Sequence, residues 1–78
     1  MEHPQSELAA LWAEVLKSET PEGDADFFEC GGTSLTAVHL AALIQERFHV
    51  SIDAIEVVTG RKLSVLSELL GERLAAAS

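Results

Sequence analysis

The serine with the most informative position for chemistry is Ser34, which directly follows Gly31-Gly32-Thr33. The two glycines interrupt the preceding chain and Thr33 is suited to cap a helix, so Ser34 is predicted to lie in the first helical turn. A phosphate attached there would face free backbone N–H groups and the positive end of the helix dipole. The alternative is that Ser34 is a simple N-terminal capping residue, and helix position alone favours that simpler role.

The spacing of the other reactive side chains does not support a catalytic or metal site. A nucleophilic Ser34 needs a base within reach, but His39 lies five positions later and therefore about 140° around the helix. His39 and His49 are ten positions apart and do not share a helix face. The Gly-Gly-Thr-Ser segment also lacks the lysine of a nucleotide-binding phosphate loop. We therefore predict that the chain is not an enzyme and holds no metal.

Length and composition indicate a single domain, residues 1–78, with 47% hydrophobic residues and only one cysteine. One cysteine cannot form an internal disulfide, which favours a reducing compartment. No stretch approaches the roughly 18 apolar residues of a membrane span, and the N-terminus lacks the pattern of a signal peptide. We expect a cytoplasmic monomer.

The charge is unevenly distributed. Thirteen acidic and five basic side chains give a formal net charge of −8, which disfavours binding to nucleic acid or to an anionic membrane. Between Lys17 and Arg47 there is no lysine or arginine. The acidic residues in that interval are Glu19, Glu22, Asp24, Asp26, Glu29 and Glu46. They form either a solvated segment that keeps the protein soluble or a docking surface for basic partners.

The first half of the chain predicts one helix followed by a long loop. Apolar residues repeat at helical spacing at Leu8, Leu11, Trp12, Val15 and Leu16. The periodicity then disappears from Ser18 to Glu29, where Pro21 and Gly23 mark a loop. Phe27 and Phe28 are predicted to anchor this loop in the core, because adjacent aromatic side chains are costly to expose.

A second helix is predicted to begin near Ser34. Its expected buried stripe consists of Ala37, Leu40, Ala41, Ile44 and Phe48. A second apolar row lies beside this stripe and consists of Leu35, Val38 and Ala42. This row either packs into the core or forms an exposed ridge that contacts partners.

The last part of the chain predicts two further helices. Ala54 to Val58 is too short to be a stable helix alone, so it should form one or two packed turns ended by Thr59-Gly60. A last helix is expected from about Lys62 to Arg73, because leucines recur at helical spacing at Leu63, Leu66, Leu70 and Leu74. The predicted fold is all-α: a small four-helix bundle with a long first loop and a short third helix.

The ten residues from Asp26 to Leu35, Asp-Phe-Phe-Glu-Cys-Gly-Gly-Thr-Ser-Leu, resemble the core motif of thiolation domains. These domains are the peptidyl carrier proteins of nonribosomal peptide synthesis and have an acyl carrier protein-like fold. The resemblance extends to most of the chain, since residues 11–16 look like the first helix of the family and residues 48–52 like the end of its second helix.

The resemblance implies that the Ser34 hydroxyl receives phosphopantetheine from coenzyme A through a phosphopantetheinyl transferase. The terminal thiol would then carry an aminoacyl or peptidyl group as a thioester. Implied partners are an adenylating enzyme and condensation or tailoring enzymes of natural-product biosynthesis, for example of an antibiotic. The partner-binding residues would be Thr33, Leu35, Val38 and Ala42. The chain also looks like a free-standing carrier.

Three positions depart from the pattern of the family. Cys30 stands where the family usually has leucine, and we interpret it as a small core residue. Thr33 replaces the histidine or aspartate that usually precedes the serine, which leaves the class of cargo less well defined. Lys62 stands near the usual proline-threonine start of the last helix.

Two alternative functions remain open. One is an acyl carrier for fatty-acid or polyketide intermediates, or for D-alanine, and the other is an unmodified acidic adaptor.

Overall fold

The structure is a computed structural model that describes residues 4–77, and within them it contains four helices. These are α1 (Pro4–Leu16), α2 (Ser34–Phe48), α3 (Ala54–Gly60) and α4 (Leu63–Ala77). The long loop between α1 and α2 and the short α3 confirm the predicted all-α bundle. Helix α2 packs against α1 and α3, and α4 packs against α1 and α3.

The predicted end of α4 was wrong, and α3 includes the two residues that were expected to end it. Helix α3 continues through Thr59 and Gly60, and it ends only where Arg61 takes the positive φ of 62° and donates its N–H to Val57 O. Helix α4 begins at Leu63 and extends beyond Arg73 to Ala77. Residues 75–77 are alanines, which have the highest helix propensity, so the helix continues after its leucine repeat has ended.

The core lies between the four helices and also contains the end of the long loop. Trp12 of α1 and Phe27 of the loop are both fully buried, and their rings meet edge to face with centroids 5.2 Å apart. Phe28 is half-buried and packs against the same core. The prediction that the two phenylalanines anchor the loop is therefore confirmed, with Phe27 as the deeper anchor.

The long loop is also attached to the α3–α4 junction by backbone hydrogen bonds. Asp26 and Lys62 form an isolated antiparallel bridge, and no strand occurs among residues 4–77. Leu63 N–H donates to Ala25 O at 3.1 Å, and Ser64 N–H donates to Gly23 O at 2.9 Å. Residues at the α3–α4 junction, much later in the sequence, thus hold the loop that precedes α2 in place. None of the helices within the described range is long and apolar enough to cross a membrane.

Candidate functional site at the start of α2

Ser34 is the first residue of α2 and is exposed. The cap of the helix is Thr33, as predicted, and it forms a capping box with Thr36. Thr36 N–H donates to Thr33 Oγ1 at 3.2 Å, and Thr33 N–H donates to Thr36 Oγ1 at 2.7 Å. No other described residue accepts from or donates to the Ser34 hydroxyl, so the simple capping role considered for Ser34 belongs to Thr33.

Thr36 was not among the candidate residues predicted from the sequence. A capping box usually has Glu or Gln three residues after the cap, and here a second threonine takes that position. Its hydroxyl also donates to Thr33 O at 2.9 Å. The Thr-x-x-Thr spacing at Thr33 and Thr36 was a visible indication of this box.

Backbone donors remain available beside the Ser34 hydroxyl. The amide of Thr36 is capped and the amide of Ala37 donates to Thr33 O, whereas the amides of Ser34 and Leu35 find no acceptor among the described residues. No acidic residue lies in the first turn of α2. Free amides at a helix N-terminus favour a negatively charged group, so this end of α2 suits a phosphate.

The two glycines before the cap are required by the local backbone geometry. Gly31 has a φ of +97°, a region in which residues with a side chain are strained. Gly32 packs directly on Phe27, and a Cβ atom at this position would lie 2.4 Å from Phe27 Cδ2. Gly32 N–H also donates to Phe27 O at 2.9 Å. The buried ring of Phe27 therefore determines the path of the chain just before Ser34.

The carboxylate of Asp26 organises the turn between the loop and the glycines. Its Oδ1 accepts from the N–H groups of Phe28 at 2.9 Å and Glu29 at 3.2 Å, and its Oδ2 lies 3.1 Å from Arg61 Nε. Burial raises the pKa of Asp26, but the two backbone hydrogen bonds and the Arg61 guanidinium outweigh that effect and lower this pKa below its usual value. Asp26 is thus held in its charged form.

Arg61 completes this arrangement from the α3–α4 junction. Its guanidinium lies over the Phe28 ring at 5.4 Å from the centroid, and its carbonyl accepts from Phe27 N–H at 2.7 Å. Arg61 therefore contacts three consecutive residues of the loop, Asp26 among them. We call the group Asp26, Phe28 and Arg61 the loop clamp.

The second apolar row of α2 is exposed, which decides between the two interpretations of it. Leu35 is 79% exposed, Val38 is 55% exposed, and Ala42 and Thr33 are also exposed. The expected buried stripe is confirmed for Ala37, Leu40, Ala41 and Ile44, and Phe48 is half-buried. Leu35, Val38 and Ala42 thus form a solvent-exposed ridge that begins beside Ser34, which we call the α2 ridge. That it binds partners remains a prediction.

The remaining candidate residues have less defined surroundings. Glu19, Glu22, Asp24 and Glu29 are exposed, and both interpretations of the acidic loop remain open. Cys30 is a free, half-buried thiol that packs against the core, in agreement with its interpretation as a small core residue. His49 ends α2 in a left-handed conformation. The described residues contain no group of three or more metal-ligating side chains that could hold an ion.

Residues 6–70 match the family model described as "Phosphopantetheine attachment site". The non-canonical nonribosomal peptide synthetase FrzA of Cladobotryum sp. is 34% identical over 76 residues, which are 95% of this chain and 7% of that protein. Malformin synthetase mlfA of Aspergillus niger is 36% identical over 67 residues, which are 83% of this chain and 1% of that protein. The chain thus spans only a small part of the curated relatives it matches.

A solved structure has the same fold at lower sequence identity. BlmI, a type-II acyl-carrier-protein from Streptomyces verticillus involved in bleomycin biosynthesis, superposes with a TM-score of 0.84 at 21% identity. The superposition covers 91% of this chain and 86% of BlmI. Because the family model covers most of the chain, the protein belongs to the phosphopantetheine attachment site family, whose members carry that group covalently, and is a carrier domain of the type found in nonribosomal peptide synthetases.

Proposed function

We propose that this chain is a peptidyl carrier protein that holds an aminoacyl or peptidyl thioester on a phosphopantetheine group attached to Ser34. The observation that supports this assignment is the state of the Ser34 side chain. It is exposed at the first position of a capped helix, and its hydroxyl is not engaged by any residue within 4–77. A transferase can therefore reach this hydroxyl without first breaking an internal contact.

The surroundings of Ser34 fit the group. Ser34 would hold it covalently, and the free amides of Ser34 and Leu35 would favour the negative charge of its phosphate. When bound, the group supplies a terminal thiol that carries the cargo as a thioester. Leu35, which is 79% exposed, provides an apolar surface next to the attachment point.

The partners in this proposal are a phosphopantetheinyl transferase, an adenylating enzyme, and condensation or tailoring enzymes. The chain itself would catalyse no step, since Ser34 requires only a hydroxyl that another enzyme modifies. In this proposal the chain is a cytoplasmic monomer, and its net charge of −8 disfavours binding to nucleic acid or to an anionic membrane.

The test is the intact mass of the protein after incubation with coenzyme A and a broad-specificity transferase. We expect the wild-type chain to gain one phosphopantetheine group and Ser34→Ala to gain none. Ser64→Ala is the matched control, because Ser64 also lies in the first turn of a helix, and it should be modified like the wild type. A modified Ser34→Ala protein, or an unmodified wild-type chain, would refute the assignment.

An acyl carrier for fatty-acid or polyketide intermediates, or for D-alanine, is the second candidate, since the fold also resembles that of the acyl carrier BlmI. Loading assays with candidate adenylating enzymes distinguish the two. Transfer of an amino acid to be built into a peptide supports the first, and transfer of D-alanine or acyl chains supports the second. An unmodified acidic adaptor would gain no mass in the preceding experiment.

A further inference from the structure

A groove between α3 and α4 lies apart from the Ser34 site and contains no positive charge in its lining. Its volume is about 400 Å³, and its walls are formed by one face of each helix. The lining residues are Glu56, Thr59 and Gly60 of α3, with Val65, Glu68, Leu69 and Glu72 of α4. None of them belongs to the α2 ridge. The lining thus combines two apolar side chains, Val65 and Leu69, with three carboxylates.

The apolar part of the groove is not covered by the rest of the protein. Val65 is 43% exposed although it is a large aliphatic residue, and Leu69, one turn later on the same face, is half-buried. Gly60 also lines the groove close to Val65, and it adds no side chain. An apolar side chain from another molecule could therefore cover Val65 and remove this surface from water.

Two of the three carboxylates have no internal partner. Glu56 is engaged by Arg73, but neither Glu68 nor Glu72 pairs with a cation among the described residues. They stand four residues apart on α4, and like charges at that spacing repel each other along a helix. A positive charge bound between them would relieve that repulsion. The exposed apolar surface of Val65 lies in the same groove as the two carboxylates, a combination that fits a lysine or arginine carried by a protein segment.

We infer that the α3–α4 groove binds a basic segment of a partner protein, one that places an apolar side chain against Val65 and lysine or arginine beside Glu68 and Glu72. Charge complementarity determines this choice of occupant. A second copy of this chain, with a net charge of −8, would bring two acidic grooves together, and nucleic acid or an anionic membrane would be repelled. This inference goes beyond the carrier role and does not depend on modification of Ser34.

The α1–α2 groove provides a natural comparison within the same protein. It is lined by Leu11, Glu14, Leu43, Glu46 and Arg47, so it also combines apolar residues with two glutamates. Arg47 is itself one of the lining residues, and it pairs with Glu7, outside the lining, at 3.4 Å. A basic segment should therefore prefer the α3–α4 groove, where no cation is present in the lining.

The experiment titrates a synthetic helical peptide into the full ¹⁵N-labelled chain and follows the backbone amides by NMR. The peptide presents one phenylalanine with a lysine one turn before it and another one turn after it. We expect the largest shifts at Val65, Glu68, Leu69 and Glu72, and none with a peptide in which glutamates replace the lysines. Replacing the phenylalanine by alanine should weaken binding at every salt concentration.

Variants of the protein test the two parts of the groove separately. Glu68→Gln with Glu72→Gln should raise the dissociation constant about fivefold or more at low ionic strength, and the effect should shrink with added salt. Val65→Ser should weaken binding at both low and high salt. The matched control, Glu14→Gln with Glu46→Gln, removes the same charge from the other groove and should change the dissociation constant little.

Several results would overturn the inference. One is the absence of peptide binding at millimolar concentration, and another is an equal loss of affinity in the Glu14→Gln, Glu46→Gln control, which would indicate general attraction to an acidic protein. Amide shifts centred on the acidic loop in place of the α3–α4 groove would also indicate general attraction to an acidic protein. Shifts of Val65 and Leu69 that depend on protein concentration without peptide would identify a second copy as the occupant instead. All of these outcomes are independent of whether Ser34 is modified.

Discussion

Arg61 Nε lies 3.1 Å from Asp26 Oδ2, although helices α2 and α3 separate the two residues along the chain. This ion pair closes the loop clamp, in which Arg61 also covers the Phe28 ring. Asp26 and Phe28 of the clamp lie only a few residues before Gly31. The clamp therefore fixes the direction in which the chain enters α2. The position of Ser34 therefore depends on a residue from the opposite half of the sequence.

The first prediction concerns the acid stability that Asp26 provides. Its folded-state pKa lies below the usual 3.8, so the unfolded chain binds the proton more readily than the folded chain does. The stabilisation is thus present above about pH 3.8 and is lost as the pH falls through the lower, folded-state pKa. Asp26→Asn should lower the melting temperature at pH 7, and the difference from wild type should narrow as the pH falls below this range.

The measurement is a series of thermal melts followed by circular dichroism between pH 2.5 and pH 7. The control is Asp24→Asn, which neutralises an exposed carboxylate two positions away. Its melting temperature should stay close to that of the wild type throughout. Equal behaviour of the two variants would mean that the Asp26 carboxylate does not stabilise the fold.

The loop clamp also contains a contact that could not be predicted from the sequence. The Asp26–Leu35 motif indicated that this segment matters, but nothing in the order of residues indicated that Arg61 is the partner of Asp26. Such a pairing is set by how α3 and α4 pack, and local patterns contain no information on it. The role of Arg61 in ending α3 was also difficult to predict, because it adopts a positive φ, which sequence patterns associate with glycine or asparagine.

The elements themselves were largely predictable, because hydrophobic periodicity reports directly on helices. It placed α1 and α2 correctly and identified the Ala37, Leu40, Ala41 and Ile44 stripe. It could not decide whether the row beside it, with Leu35 and Val38, was buried. Periodicity shows which residues share a face, but the coverage of that face depends on the neighbouring helices.

The second prediction concerns Gly32. A Cβ atom there would lie 2.4 Å from the Phe27 ring and 2.6 Å from Phe27 O, so backbone and ring must both move. Gly32→Ala should lower the free energy of unfolding by about 1–3 kcal/mol, as overpacking of a core does. Urea denaturation gives this value directly.

Gly71→Ala is the matched control for that substitution. Gly71 lies inside α4, and a Cβ atom there meets nothing within 4 Å. Because alanine is the better helix former, this variant should be more stable than wild type by up to about 1 kcal/mol. If Gly32→Ala is as stable as Gly71→Ala, the contact between Gly32 and Phe27 does not constrain the chain before Ser34.

The third prediction compares the two phenylalanines of the loop. Phe27 is fully buried against Trp12, so Phe27→Ala should cost on the order of 3 kcal/mol or more, a large share of the stability of so small a domain. Phe28→Ala should cost less, because its ring is only half-buried. Urea denaturation of both variants measures the two losses in the free energy of unfolding. A larger loss for Phe28→Ala would make Phe28 the main anchor.

The last prediction separates the roles of the α2 ridge and the acidic loop in the encounter with the phosphopantetheinyl transferase. Val38 is 55% exposed, so Val38→Asp should fold normally while placing a charge in the centre of the ridge. Loss of an apolar contact at the centre of an interface usually weakens binding strongly, so we expect kcat/KM for the transferase to fall about tenfold. The loss should persist at high salt.

Neutralising the exposed pair Glu22→Gln and Asp24→Asn should act differently. Charges at the edge of an interface mainly accelerate the encounter, and salt screens them, so this variant should be slower than wild type only at low ionic strength. Ile55→Asp introduces the same charge at an exposed position of α3 that lines neither groove, and it is the control for Val38→Asp. If Val38→Asp and Ile55→Asp have the same kinetics while both proteins remain folded, the transferase does not use the α2 ridge, because a contact surface there would make the Val38 variant the slower substrate.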